Sequence, residues 1–132
     1  MNKLIKKYII AYESINISSL NILMECIDEN FVFSDPFHNT KNKLQFKKLL
    51  HEMFKRISNP GFKVINMAQN KNIFFIKWRF TGFYKKEFSF EGISEIEIKK
   101  NLIIKHIDYW DSGKNFYSHI PIIGSLFKKI HE

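Results

Sequence analysis

The hydrophobic pattern of this 132-residue chain changes period once, near its middle. Up to Ser58, apolar residues recur at intervals of three and four. From Phe62 onward they alternate with polar ones. The first spacing places side chains on one face of a helix, and the second places them on one face of a strand. Helices first and strands after them restrict the chain to an α+β domain. The alternating segments are separated by short turns, which makes the sheet antiparallel. A strongly twisted sheet wrapped over helices forms a cone with one open end.

Three helices are expected. Lys3 to Ile15 carries Leu4, Ile5, Tyr8, Ile9, Ala11 and Tyr12 on an amphipathic face. Ser18 or Ser19 can cap a second helix bearing Leu20, Ile22, Leu23, Cys26 and Ile27. Phe31-Val32-Phe33 reads as a short strand stopped by Asp35-Pro36. The third helix, about Lys43 to Ser58, buries Leu44, Phe46, Leu49, Leu50, Met53, Phe54 and Ile57, and Asn59-Pro60-Gly61 ends it. Strands follow at Phe62–Gln69, Ile73–Phe83, Glu87–Ile98 and Leu102–Trp110. No Pro/Gly/Ser-rich linker interrupts this order, so residues 1–132 read as one domain with a helical extension at about 112–132.

Composition narrows the function. An apolar fraction of 45% is enough for a core, and no apolar run approaches the ~20 residues that span a bilayer. The basic start gives way to only a short apolar stretch, Tyr8 to Tyr12, too brief for a secretion signal. A single cysteine, Cys26, fits a reducing compartment, and the chain reads as cytoplasmic. The net charge of +8 comes with only two arginines, Arg56 and Arg79, and with lysines scattered singly or in pairs. That is a solvated surface rather than a nucleic-acid interface, where Arg carries base readout. The apolar tail Ile122 to Ile130 is short, so docking on the domain is expected rather than stable membrane association. No Gly-rich phosphate loop and no metal-ligand spacing occur, so no cofactor and no metal is expected.

Two clusters carry chemistry. On the last strand, alternation puts Leu102, Ile104, His106, Asp108 and Trp110 on one face, and the opposite face is also largely apolar. A carboxylate beside an imidazole on a covered face is either a satisfied core pair or part of a pocket. At Phe33-Ser34-Asp35-Pro36-Phe37-His38 a carboxylate and an imidazole sit where a strand leaves for a loop. Asp35 is there either a turn residue before proline or a functional acid.

Tyr8, Phe33-Ser34-Asp35-Pro36, Trp78, Phe90-Glu91-Gly92-Ile93-Ser94 and His106-Ile107-Asp108-Tyr109-Trp110-Asp111 together resemble SnoaL-like proteins. These belong to the nuclear-transport-factor-two-like superfamily, with ketosteroid isomerases and polyketide cyclases. The resemblance implies a cone of three helices on a curved antiparallel sheet, a homodimer, and a pocket for a small apolar ligand. By that resemblance Asp35 matches the aspartate that shuttles a proton, and Tyr8 matches the hydrogen-bond donor to a developing oxyanion. Ser94 stands where a protonated aspartic acid is expected, a departure from the isomerase pattern. His106 and Asp108 on the neighbouring strand are closer to the cyclase pattern, with an acid in the pocket.

The expected site therefore has Asp35, Tyr8, His106 and Asp108 as catalytic groups, with either aspartate as base. His38, Phe54, Trp78, Phe88, Ser94 and Trp110 are the expected ligand contacts. The expected function is binding of a small hydrophobic molecule, with cofactor-free proton transfer on it. The alternatives are a non-catalytic binding pocket or a protein-interaction domain of the same fold. The expected dimer joins through the outer sheet face, where Ile73, Phe75 and Ile107 would otherwise be exposed.

Overall fold

The computed structural model describes residues 2–111, and the expected extension at 112–132 lies outside them. Helices α1 (Lys3–Glu13) and α2 (Leu20–Cys26) lead into strand β1 (Ile27–Ser34) and a two-residue strand β2 (Asn39–Thr40). Helix α3 (Lys43–Arg56) is followed by β3 (Ser58–Asn70), β4 (Ile73–Tyr84), β5 (Lys86–Lys99) and β6 (Leu102–Tyr109). The six strands form one curved, unclosed sheet in the order β2-β1-β6-β5-β4-β3.

Local chemistry sets the helix ends. The Asn2 side-chain oxygen accepts from the backbone N–H of Leu4 and Ile5, closing the first turn of α1. Asn42 does the same for Gln45 at the start of α3, whose side chain in turn accepts from the Lys41 N–H. Ser19 precedes α2, but its side chain makes no cap bond there. Its hydroxyl instead accepts from the Asn16 N–H, and Asn16 accepts from the Ser19 N–H, which pins the turn between α1 and α2.

The sheet is mixed rather than wholly antiparallel. β3 to β6 pair antiparallel, whereas β1 runs parallel to β6, with Phe33 opposite His106 and Ser34 opposite Ile107. Hydrophobic periodicity reveals a strand but not its partner, and this pairing joins segments about 70 residues apart. The Asn59-Pro60-Gly61 segment belongs to the irregular start of β3, where Asn59 takes a positive φ of 52°. α3 stops before it, because Ile57 is already extended. Leu44, expected in the buried stripe of α3, is 61% exposed.

A bulge in β6 corrects the expected face. Glu97 pairs with Lys105, but Ile98 pairs with Ile103, so Ile104 is an extra residue. The parity changes there. Ile103, fully buried, shares the inner face with His106, whereas Leu102 and Ile104 do not continue that row. A second extra residue, Ile65 of β3, lies between the Val64–Trp78 and Asn66–Lys77 pairs. Bulges bend and twist a sheet, which helps it to wrap over the helices. The β5–β6 hairpin turns through Lys100 and Asn101, both at positive φ, a combination that matches the natural twist of a hairpin.

The main core joins Ile5, Tyr8 and Leu23 of the first helices to Phe31 and Phe33 of β1, Phe46 of α3, and Ile96 and Ile103 of the sheet. A second cluster is aromatic: Trp78, Phe80, Phe88 and Phe90 with Ile57. On the outer face, one row runs from Phe75 through Glu95 to Ile107 across β4, β5 and β6, and the next runs from Lys77 through Ile93 to Tyr109. Phe75, Ile93 and Tyr109 are all more than a third exposed.

Candidate functional site

The inner sheet face lines a cavity of about 70 Å³ together with helices α1 and α3. One water needs ~10–15 Å³ on this scale, so the space suits a few waters or one small molecule. Asp35, at the end of β1, and Asp108, on β6, both line it. Aromatic rings form much of the remaining wall, among them Tyr12, Phe62, Trp78, Phe90 and Trp110. Phe90 bridges the two tryptophans, with ring centroids 6.0 Å from Trp78 and 4.9 Å from Trp110. A second space of about 30 Å³ adjoins Tyr8, Ser94, His106 and Asp108. Tyr12, Phe62, Trp78 and Asp108 are common to both.

Register explains the convergence. Trp78 pairs with Gly92 and Ser94 pairs with Asp108, so β4, β5 and β6 present these groups in neighbouring rows. Gly92 is required by the indole: a Cβ there would come 2.5 Å from the Trp78 ring and 2.9 Å from the Tyr109 carbonyl oxygen. With no side chain at Gly92, Trp78 lies flat against β5 and its Nε1–H donates to Ser94 Oγ at 2.8 Å.

From Ser94 a continuous hydrogen-bond chain runs to helix α1. The Ser94 hydroxyl donates to Asp108 Oδ1. His106 Nε2 lies 2.7 Å from the same oxygen and 3.0 Å from Ser94 Oγ, and His106 Nδ1 lies 2.8 Å from the Tyr8 hydroxyl. An ionised carboxylate only accepts, so the His106 proton belongs on Nε2, and Nδ1 then accepts from Tyr8. With that assignment every donor in the chain meets an acceptor. Tyr8, Ser94 and His106 are all buried, at 1%, 4% and 3% exposure. Burial outweighs the other influences on Tyr8 and Tyr12, raising both phenols well above their ordinary range.

The two aspartates differ. Asp108 has its hydrogen bonds concentrated on one oxygen. Asp35 accepts the Phe37 N–H at 2.8 Å and is otherwise desolvated by the cavity wall. Burial pushes Asp35 up to about 7; the Phe37 and His38 N–H groups oppose that rise, and the Asp108 charge adds to it. A half-protonated carboxyl at neutral pH can both take and return a proton.

The sequence-expected residues are thus only partly brought together. Asp35, Asp108, Trp78 and Trp110 line the larger cavity, and Tyr8, Ser94 and His106 stand behind Asp108. Three expected contacts lie elsewhere among the described residues. Phe88 packs on Phe80 and Phe90, its ring filling the space over Gly82. Phe54 borders an open surface groove with Ile15, Ile57 and Pro60. His38 is buried beside the β1 end, and its carbonyl accepts the Asp35 N–H at 2.9 Å. Tyr12, Phe62 and Phe90 were not among the expected site residues. Tyr12 follows Tyr8 by one helical turn, and that Tyr-Tyr spacing was its only sequence signal.

Tyr8→Phe isolates the inner end of the chain. It keeps the ring but leaves the buried His106 Nδ1 without its donor, so unfolding free energy in urea is expected to fall by ~1–3 kcal/mol. Unchanged stability would show that Nδ1 has another donor.

The family profile for the SnoaL-like domain matches residues 11–106. The chain belongs to the SnoaL-like domain family. Solved structures share the fold of this SnoaL-like chain at low identity. One is a Catenulispora acidiphila protein of ketosteroid-isomerase-like fold in complex with trimethylamine, 13% identical, TM-score 0.73, covering 84% of this chain and 87% of that one. A Mycobacterium tuberculosis epoxide hydrolase of the LEH-like type is 12% identical, TM-score 0.74, covering 96% and 89%. A Xanthomonas campestris protein described as a polyketide cyclase is 10% identical, TM-score 0.72, covering 84% and 90%. No curated protein matches the SnoaL-like chain. No helix among the described residues is long and apolar enough to cross a membrane.

Proposed function

We propose that this SnoaL-like protein binds a small, largely apolar molecule in the Asp35–Asp108 cavity and moves a proton on it without a cofactor. The observation that carries the reading is the meeting of two carboxylates in one aromatic cavity, one anchored by Ser94 and His106 and the other near neutrality. Asp35 is the proton acceptor and donor. Asp108 is the fixed negative group, oriented by His106 and through it by Tyr8. Tyr12 lines the cavity and supplies a phenolic hydrogen bond to a developing oxyanion, a role Tyr8 does not fill while its O–H donates to His106. The small volume restricts the ligand to little more than a single ring. The trimethylamine held by the Catenulispora protein is of similar scale.

The test is deuterium exchange at the carbon next to the carbonyl of small ketones in D2O, followed by NMR. The protein is expected to accelerate exchange of acetone- to cyclohexenone-sized probes. Probes that bind without accelerated exchange would favour the second reading, a non-catalytic binding pocket.

The same proposal includes a homodimer through the outer sheet face. Its motive is the exposure of Phe75, Ile93 and Tyr109 beside Ile73 and Ile107 on one surface. Sedimentation at micromolar concentration is expected to give a dimer, and Phe75→Glu to give a 15.8 kDa monomer. A wild-type monomer contradicts it. The lone, buried Cys26 supports a cytoplasmic location.

A further inference from the structure

We propose that the molecule this cavity accepts is positively charged, a small alkylammonium compound. The inference rests on reading the cavity as a ligand site and adds the sign of the ligand's charge. Among the described residues, 14 line it: eight are aromatic, two are carboxylates and none is basic. This lining belongs to a chain whose net charge is +8, so the cavity is acidic against the balance of the whole protein.

A neutral ligand would leave the Asp108 charge buried beside it without a counter-charge, which costs free energy. An anionic ligand would meet two like charges. A tetrahedral alkylammonium is stabilised by both parts of the lining. Its charge is attracted to aromatic rings, and Trp78, Phe90 and Trp110 are among those that line the cavity, as rings do in the aromatic cages that hold quaternary amines. Asp108 supplies the counter-charge and is held in place by Ser94 and His106.

Asp35 adds a pH dependence. The groups around it are Asp108 on β6, with His106 behind it, Tyr12 on α1, and the neighbouring His38. Among the described residues named here, only the two imidazoles could offset its charge, and His106 is already bonded to Asp108. A bound cation favours ionised Asp35, so its binding releases a proton at neutral pH. Affinity then rises with pH up to about 7 and levels off above it.

Both tryptophans of the chain line the cavity, so intrinsic fluorescence reports on it directly. The probes are tetramethylammonium and its neutral isostere tert-butanol, added to the full chain at matched ionic strength. At pH 8 the cation is expected to bind at least tenfold more tightly. Asp108→Asn and Asp35→Asn are each expected to weaken it about tenfold, and the Asp35→Asn protein to lose the pH dependence. Equal binding of the two probes, or cation binding unchanged in both variants, overturns the charge inference and leaves the cavity as a ligand site. Binding of neither probe overturns both.

Discussion

Asp35→Asn is expected to lower proton exchange on a small ketone by ~10²–10⁴-fold, the contribution of one well-placed general acid/base. The substitution keeps shape, and its amide oxygen still accepts the Phe37 N–H that fixes Asp35 at 2.8 Å. What it removes is a carboxyl that changes protonation near neutrality because the cavity wall excludes water from it. Asp108→Asn provides the contrast. Its amide still accepts from Ser94 and His106, so the network persists while the fixed charge disappears. If exchange survives in Asp35→Asn and is lost in Asp108→Asn, the two roles are reversed.

The same variant is expected to be more stable than the natural sequence at pH 8, by about 4 kcal/mol. Burial raises Asp35 from an ordinary carboxylate value of 3.8 to about 7, and each unit corresponds to ~1.4 kcal/mol. The folded chain therefore holds this proton more tightly than the unfolded chain. The favourable contribution of the neutral carboxyl is complete below about pH 4 and is lost as pH rises toward 7. Above that pH, folding must bury a charge. Urea denaturation of both proteins at pH 4, 6 and 8 reads the difference, which is expected to grow with pH. A difference that is flat with pH would mean that Asp35 is solvated in the folded protein. A residue whose removal stabilises the fold while abolishing activity follows the stability–activity trade-off of functional sites.

Much of this architecture is legible in the sequence because it is written in periodicity. The stripe through Ile5, Tyr8 and Ala11 and the alternation through Phe74, Ile76, Trp78 and Phe80 are both buried as their spacing requires. What periodicity does not carry is partner choice. The parallel β1–β6 pair places Phe33 beside His106, and β1 then delivers Asp35 to the cavity that Asp108 lines. No local pattern announces that meeting. The bulge at Ile104 is equally silent, since a strand of Ile, Lys and His reads as regular alternation until its partner is known. The misplaced walls have a similar cause. Phe88 alternates correctly inward, but the space above Gly82 takes its ring. Phe54 falls on the α3 stripe, but near the helix end, where it borders a surface groove. Ser94 is the instructive case. It breaks the isomerase pattern as a donor to substrate, yet here its hydroxyl links the Trp78 indole to Asp108, a structural connection that its identity alone does not reveal.

The measurement that tests the account most directly is the titration of the Asp35 carboxyl carbon by 13C NMR, assigned through its disappearance in Asp35→Asn. A midpoint near 7 is the predicted result, since it requires a carboxyl shielded from water and facing a second negative charge across the cavity. A midpoint near 4 would contradict it, placing Asp35 in water as an ordinary turn residue before Pro36.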